Sequence, residues 1–275
     1  MRAPQAFVKR VYAGYTRRVL PAPCYVISDA HLGVADRDAE RHLLTFLRAI
    51  RADAKSLVIN GDLFDFWFEW KRVMPRAGYR VVAAIADLVE AGVAVLWVAG
   101  NHDCWGGEML RQEVGVDYVV GTWRGDVAGW RTRVDHGDGL REAEDRRYRA
   151  LRRLLRNPAA IRAFRWLHPD LATRLALGSS HASRTYRAKD GGAGLLRVAM
   201  HDLASEQSLQ LLVLGHSHVP IVERAVSGGL YANAGTWLGD STFLRITEDA
   251  VELRRWRAGL SGEVSELLRR ERPGN

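Results

Sequence analysis

CYVISDAHLG, residues 24–33, runs from a buried strand into chemistry within a few positions. Cys24 to Ile27 suit a strand covered on both faces, and the apolar run then stops at Ser28, Asp29, Ala30 and His31. A carboxylate and an imidazole two residues apart at a strand end form a weak metal signature when alone. Here the same change of character recurs along the chain. VINGDLFDFW ends a second strand at Gly61 and Asp62, and WVAGNHD ends a third at Asn101, His102 and Asp103. VDHGD ends another at His136, and VLGHSHVP ends yet another at His216 and His218.

The segments between these marks read as an α/β layer. Arg37 to Arg51 places Leu43, Leu44, Leu47 and Ile50 on one helical face, and Tyr79 to Ala91 does so with Val81, Val82, Ile85, Leu88 and Val89. With SLVIN (56–60) and VAVLWVAG (93–100), the order is strand, helix, strand, helix, strand. Beyond residue 205 come the short strands QLLVLGH, GLYANAG, TFLRI and VELRRW; with RTRVDHG they predict a second sheet packed on the first. Residues 141–189 differ, being Arg-rich and helical, with Tyr148, Leu151, Leu154 and Leu155 at helical spacing, then Ile161, Phe164 and Leu167. This stretch is expected to be a helical cap inserted into a core of residues 22–140 and 190–258. KDGGAGL closes the cap as a loop, and 259–275 is expected to be a C-terminal tail.

Composition narrows the function classes. Of 275 residues, 47% are hydrophobic and 26% charged, a globular balance. Lys and Arg number 40 against 32 Asp and Glu, a net charge of +8. That surplus fits nucleic acid, a phosphorylated substrate or an acidic membrane face, and equally a solvated surface. Two cysteines, Cys24 and Cys104, suit neither a disulfide framework nor a CxxC metal site, so a reducing compartment is expected. The N-terminal MRAPQAFVKRVYAGYTRRVLPAP lacks an apolar secretory core, and no run of 18 apolar residues occurs. The expectation is a cytoplasmic protein.

Five polar strand ends make joint sense if they open onto one crevice, because ligands of α/β sheets bind beyond the carboxyl ends of the strands. Strand alternation predicts that His216 and His218 share a side, as do Asp29 and His31. Mixed His, Asp and Asn donors favour Mn or Fe over a Cys-rich zinc site. Seven donors exceed one ion and suit two that share a carboxylate. Two ions roughly 3.5–4 Å apart can clamp both oxygens of an in-line phosphoryl displacement and lower the pKa of bound water towards ~7. His42, His168, His181 and His201 lie outside the marks and are expected on the surface or in packing.

In their order, DxH, GD, GNHD, HGD and GHSH resemble the motifs of the calcineurin-like metallophosphoesterases, over roughly Tyr25 to Trp237. The resemblance implies a four-layer α/β/β/α sandwich with a helical cap insertion. It implies one divalent ion on Asp29, His31, Asp62 and His218, and a second on Asp62, Asn101, His136 and His216, with Asp62 as the bridge. Mn2+ is the first expectation, with Fe2+ or Zn2+ as alternatives. His102 would donate to a phosphoryl oxygen or protonate the leaving group.

ISDAHLG, GDLFDFW, HGDGL and WLHPDL are similar to the bacterial UDP-2,3-diacylglucosamine pyrophosphohydrolases of lipid A biosynthesis. That similarity implies water attack on a diphosphate, releasing UMP and 2,3-diacylglucosamine 1-phosphate, with the cap sheltering the acyl chains. Asn101, His102 and His216 would face the substrate, and Tyr148, Arg184 and Arg187 are the expected cap contacts. Peripheral contact of the cap with an anionic inner-membrane face belongs to the same expectation. Two positions depart, since many of those hydrolases carry Arg where this chain has His102 and Val219. The alternative is another dimetal phosphodiesterase or nuclease of the same superfamily. A serine hydrolase is excluded because GHSHV lacks the closing Gly of GxSxG, and a dinucleotide fold because DAHLG is not GxGxxG.

Overall fold

A computed structural model describes residues 19–141, 144–184, 190–257 and 263–272. The first half alternates strand and helix: β1 (Val19–Leu20), β2 (Cys24–Ile27), α1 (Arg37–Ile50), β3 (Ser56–Asn60), α2 (Tyr79–Glu90) and β4 (Ala94–Val98). β5 (Asp117–Val119), β6 (Trp123–Val127) and β7 (Trp130–Val134) lead to three consecutive helices, α3 (Arg146–Leu155), α4 (Pro158–Phe164) and α5 (Pro169–Arg184). After α6 (Ala193–Ser205) the chain is all strand: β8 (Leu211–Leu214), β9 (Ile221–Arg224), β10 (Leu230–Asn233), β11 (Thr242–Ile246), β12 (Ala250–Arg257) and β13 (Glu263–Glu271).

Two sheets result. One has seven strands in the order β13-β12-β11-β2-β3-β4-β5, and the other six in the order β1-β6-β7-β8-β10-β9. β2, β3, β4 and β5 run parallel, Tyr25 beside Leu57 and Leu57 beside Val95. Their near-continuous apolar sequence follows from burial on both faces. Alternation divides that burial. Tyr25, Ile27, Leu57, Ile59, Val95 and Trp97 meet the apolar faces of α1 and α2. The intervening Val26, Val58, Leu96 and Val98 meet Trp130, Val134, Leu211 and Val213 of the second sheet. Leu212, Leu214 and Tyr231 on its far face meet Leu195, Ala199 and Leu203 of α6. The order helix, sheet, sheet, helix is the expected four-layer sandwich.

Local signals agree with these elements. Asp36 caps α1 by accepting from the Ala39 amide at 2.7 Å, Asp38 and Glu40 occupy its first turn, and Arg48 its last. Two boundaries are corrected. The expected tail contains β13, which pairs antiparallel with β12 from Arg257–Glu263 back to Ala250–Glu271. The loop expected at KDGGAGL is already helical from Ala193, where Asp190 accepts from the amides of Gly192 and Gly194.

Candidate metal centre

Every polar mark lies just past the carboxyl end of a strand. Asp29 and His31 follow β2, Asp62 follows β3, Asn101 and His102 follow β4, His136 follows β7, and His216 and His218 follow β8. Because β2–β4 run parallel in one sheet and β7–β8 in the other, the ends of both sheets open to the same place.

The donors gather in three overlapping groups, each with ligand atoms within 4.8 Å of one another: Asp29, His31 and His218; Asp62, His136 and His216; and His31, Asp62 and His102. His216 and His218 therefore serve different halves of the site, which corrects the expectation from strand alternation. Neither lies in a strand. Asp29, His31, Asp62, His216 and His218 all have left-handed backbone, with φ of 53°, 45°, 51°, 63° and 59°. Each such non-glycine residue carries strain of about 1–2 kcal/mol, and reversing the chain direction this way turns the side chain back over the strand end.

Contacts inside the cluster leave room for cations. His136 Nδ1 donates to the Asn60 carbonyl at 2.9 Å, so Nε2 directs a lone pair at Asp62 Oδ2, 3.2 Å away. Two acceptors that close repel unless a proton or a cation lies between them. His31 Nε2 and His218 Nε2 face each other at 3.3 Å, and His218 Nε2 is 3.2 Å from Asp29 Oδ1. Among the described residues Asn101 Oδ1 is buried with no hydrogen-bond partner, and Asp29 Oδ1 and His136 Nε2 are buried with only the ion-pair contacts just given. Buried acceptors left in that state are costly, and hard or intermediate divalent ions would satisfy them. The donor set fits two such ions.

Electrostatics agree with the geometry. Burial opposes ionisation of Asp62, yet the adjoining His136 and His102 outweigh it and hold the carboxyl well below its ordinary range. Burial likewise opposes charge on His136 and His31, but Asp62 lifts the first and Asp65 and Asp62 the second above the ordinary imidazole value. His216 is pushed down to about 4 by burial and by His136.

The chain matches the calcineurin-like phosphoesterase family over residues 22–220. It belongs to that family. Relatives follow the match beyond the core. A Porphyromonas gingivalis protein named UDP-2,3-diacylglucosamine hydrolase is 32% identical over 216 residues, 71% of this chain and 82% of that protein. Proteins of the same name from Serratia proteamaculans and Xanthomonas oryzae are 28% and 29% identical, covering 82% and 84% of this chain and 96% and 97% of their own. The phosphoesterase is thus an enzyme of a metal-dependent hydrolase family.

Several residues that build this phosphoesterase site were assigned no role from sequence. Asp65 sets two imidazoles: its carboxylate lies 3.4 Å from His31 Nδ1, and its carbonyl accepts from His102 Nδ1 at 2.8 Å. The His102 amide donates to Asp62 Oδ1 at 2.9 Å, and its Nε2 stands 4.0 Å from Asp62 Oδ2. Buried Asp103 shapes the GNHD turn by accepting from the amides of Gly100 and Leu63 and from the Trp97 indole. Burial and the nearby Asp62 push its carboxyl up to about 6. Thr236 donates to the Asp29 carbonyl at 2.8 Å.

The cap residues fare differently. The Tyr148 hydroxyl donates to Asp138 at 2.6 Å. Arg184 ends α5, but its side chain, like all of Arg187, lies outside the described residues. Apolar residues of the expected cap are partly on the surface: Trp166 is 91% exposed, and Leu151, Leu154, Leu171 and Leu175 are exposed too.

Proposed function

We propose that this phosphoesterase hydrolyses the diphosphate of UDP-2,3-diacylglucosamine by water attack, giving UMP and 2,3-diacylglucosamine 1-phosphate. The observation carrying this reading is a helical cap docked on the metal-bearing loops of a chain whose relatives of that name align over nearly their whole length. A cleft of about 610 Å³ beside α4 has a mixed lining, in which Trp70, Met74, Trp105 and Met109 offer apolar surface to an acyl chain beside the charged Lys71, Arg72, Glu108 and Arg165.

In this reading Asp29, His31, Asp62 and His218 hold one divalent ion, and Asp62, Asn101, His136 and His216 the other, with Mn2+ the first choice for both. When bound, the ions supply Lewis acidity at the phosphoryl oxygens and a water that deprotonates near neutral pH. The chain's own residues do the rest. Asn60 and Asp65 fix the ring orientations of His136 and His31, so both imidazoles present their other nitrogen to the site. His102, held through Nδ1, carries its second proton on Nε2 in the protonated form and can donate it to a phosphoryl or leaving oxygen. In the same reading Asn101 and His216 would also face the substrate.

Among the described residues no helix is long and apolar enough to cross a membrane. Exposed Trp166, in the turn between α4 and α5, and exposed Leu154 and Leu175, on helices that also bear arginines, support peripheral docking on an anionic cytoplasmic membrane face. The test is incubation with Mn2+ and UDP-2,3-diacylglucosamine in anionic or neutral vesicles, beside an aryl phosphodiester. UMP release, faster from anionic vesicles, is expected. Cleavage of the aryl ester alone would overturn the substrate assignment, and equal rates from both vesicles would overturn the membrane contact.

A further inference from the structure

Asp138 is a buried carboxylate that the metal centre does not use. It lies two residues beyond His136 and is 1% exposed. Its charge is felt by His136 and His216, but among the described residues its side-chain ion pairs are with Arg152 of α3 and with Arg156 at the end of that helix. Tyr148 donates its hydroxyl to Oδ2 at 2.6 Å, and the guanidinium groups of Arg152 and Arg156 stand 3.4 Å from the same oxygen. Arg152 also donates to the Asp138 carbonyl at 2.7 Å. These three residues sit at i, i+4 and i+8, one face of the helix. The neighbouring Gly139 packs beneath that face, where an added Cβ would meet Arg149 and Arg152 at 3.3 Å.

The same helix is held at its other end by the loop after β4. The Trp105 indole donates to the Leu155 carbonyl at 2.9 Å, so an otherwise unpaired carbonyl of the last turn is satisfied three residues from His102. Arg156 interacts with Cys104 as well. Phe164 of α4 packs on Phe68 with ring centres 5.0 Å apart. The loops carrying His136 and His102 are thus tied directly to α3. A buried anion stripped of its cations is strongly unfavourable, so undocking the cap would leave an uncompensated charge beside the loop of His136.

We propose that Asp138 is a positioning residue that latches α3 onto the His136 loop and thereby sets how the enzyme takes substrates large enough to need the cap. This rests on the acylated-nucleotide reading of the site. Small phosphodiesters reach the metal loops without help from the cap, so the latch discriminates by substrate size and leaves the metal chemistry alone.

The test compares the full-length wild type with Asp138→Asn, which keeps an acceptor for Tyr148 but removes the charge facing Arg152 and Arg156. A second variant, Arg152→Gln with Arg156→Gln, alters only the cap side and serves if the first folds poorly. For both, kcat/KM on UDP-2,3-diacylglucosamine should fall about tenfold or more, chiefly through KM, while aryl phosphodiester hydrolysis stays within about twofold. Bound metal should be unchanged, and amide hydrogen exchange over 146–155 should quicken. Equal losses on both substrates, no loss on either, or unchanged exchange in α3 would overturn the latch. If the wild type itself releases no UMP, the substrate reading fails. The exchange measurement still decides the latch in that case, faster exchange sustaining it and unchanged exchange ending it.

Discussion

Gly100 has no room for a side chain. A Cβ there would collide with Asp62 Oδ1 and lie 2.7 Å from the Asp62 amide. Gly61 is under the same constraint from His136, and it needs left-handed backbone besides, with φ of 79°. Gly100→Ala is therefore expected to displace the Asp62 carboxylate. It should destabilise the fold by about 1–3 kcal/mol, as overpacking of a tight site does, and lower phosphodiester hydrolysis by about 100-fold or more, read by denaturant unfolding and initial rates. At this scale sequence was informative about the donors and silent about their supports. Asp29, His31, Asp62, His136, His216 and His218 each break an apolar strand, which makes them visible. Asp65, Asp103 and Asp138 sit in the same polar turns, and nothing in one sequence separates a buried carboxylate from a solvated one.

At the scale of elements, the loops that carry the donors are defined by backbone that ordinary residues avoid. His218 has φ of 59°, where a Cβ is unfavourable, so the metal-free protein holds this candidate ligand at a cost to stability. His218→Gly and His218→Ala should both abolish metal binding on the Asp29 side. In unfolding experiments on the metal-free protein, the Gly variant should be the more stable by about 1 kcal/mol, the reverse of their ranking in a helix. Period-two alternation could not reveal this, because it holds only while the chain remains a strand. Buried strands and amphipathic helices α1 and α2 were legible from periodicity. β13 was not: EVSELLRRE lacks a clean alternation, and it forms by pairing along β12, whose Arg254 and Arg255 are half-buried. The turn of π-helix at Leu110–Val114 likewise has no sequence signal, and Glu69 holds its start by accepting from the amides of Met109 and Leu110.

For the whole molecule, the site exists because two sheets end together. β2, β3 and β4 bring Asp29, His31, Asp62, Asn101 and His102, and β7 and β8 bring His136, His216 and His218. The packing of one sheet on another was foreshadowed by two apolar strand sets flanking a helical insertion, and the full four-layer order by the resemblance of the motifs to a known family. How the cap docks was beyond sequence, since its contacts are single side chains such as Tyr148 and Trp105 reaching across to distant loops.

We propose that seven of these residues, all but His102, converge on two cations. Because Asp62 and Asp65 raise His136 and His31, the metal-free protein keeps protons on them at pH values where a free imidazole, with a pKa near about 6.5, has lost its own. A ligand must be deprotonated, so uptake expels protons and apparent affinity rises with pH. The most direct measurement is titration of the metal-stripped protein with Mn2+ from about pH 6 to about pH 8, following bound metal, released protons and aryl phosphodiester hydrolysis together. Activity that saturates at two ions per chain, with proton release and tighter uptake at higher pH, is the expected result. Full activity in the stripped protein, or saturation at a single ion without proton release, would contradict it.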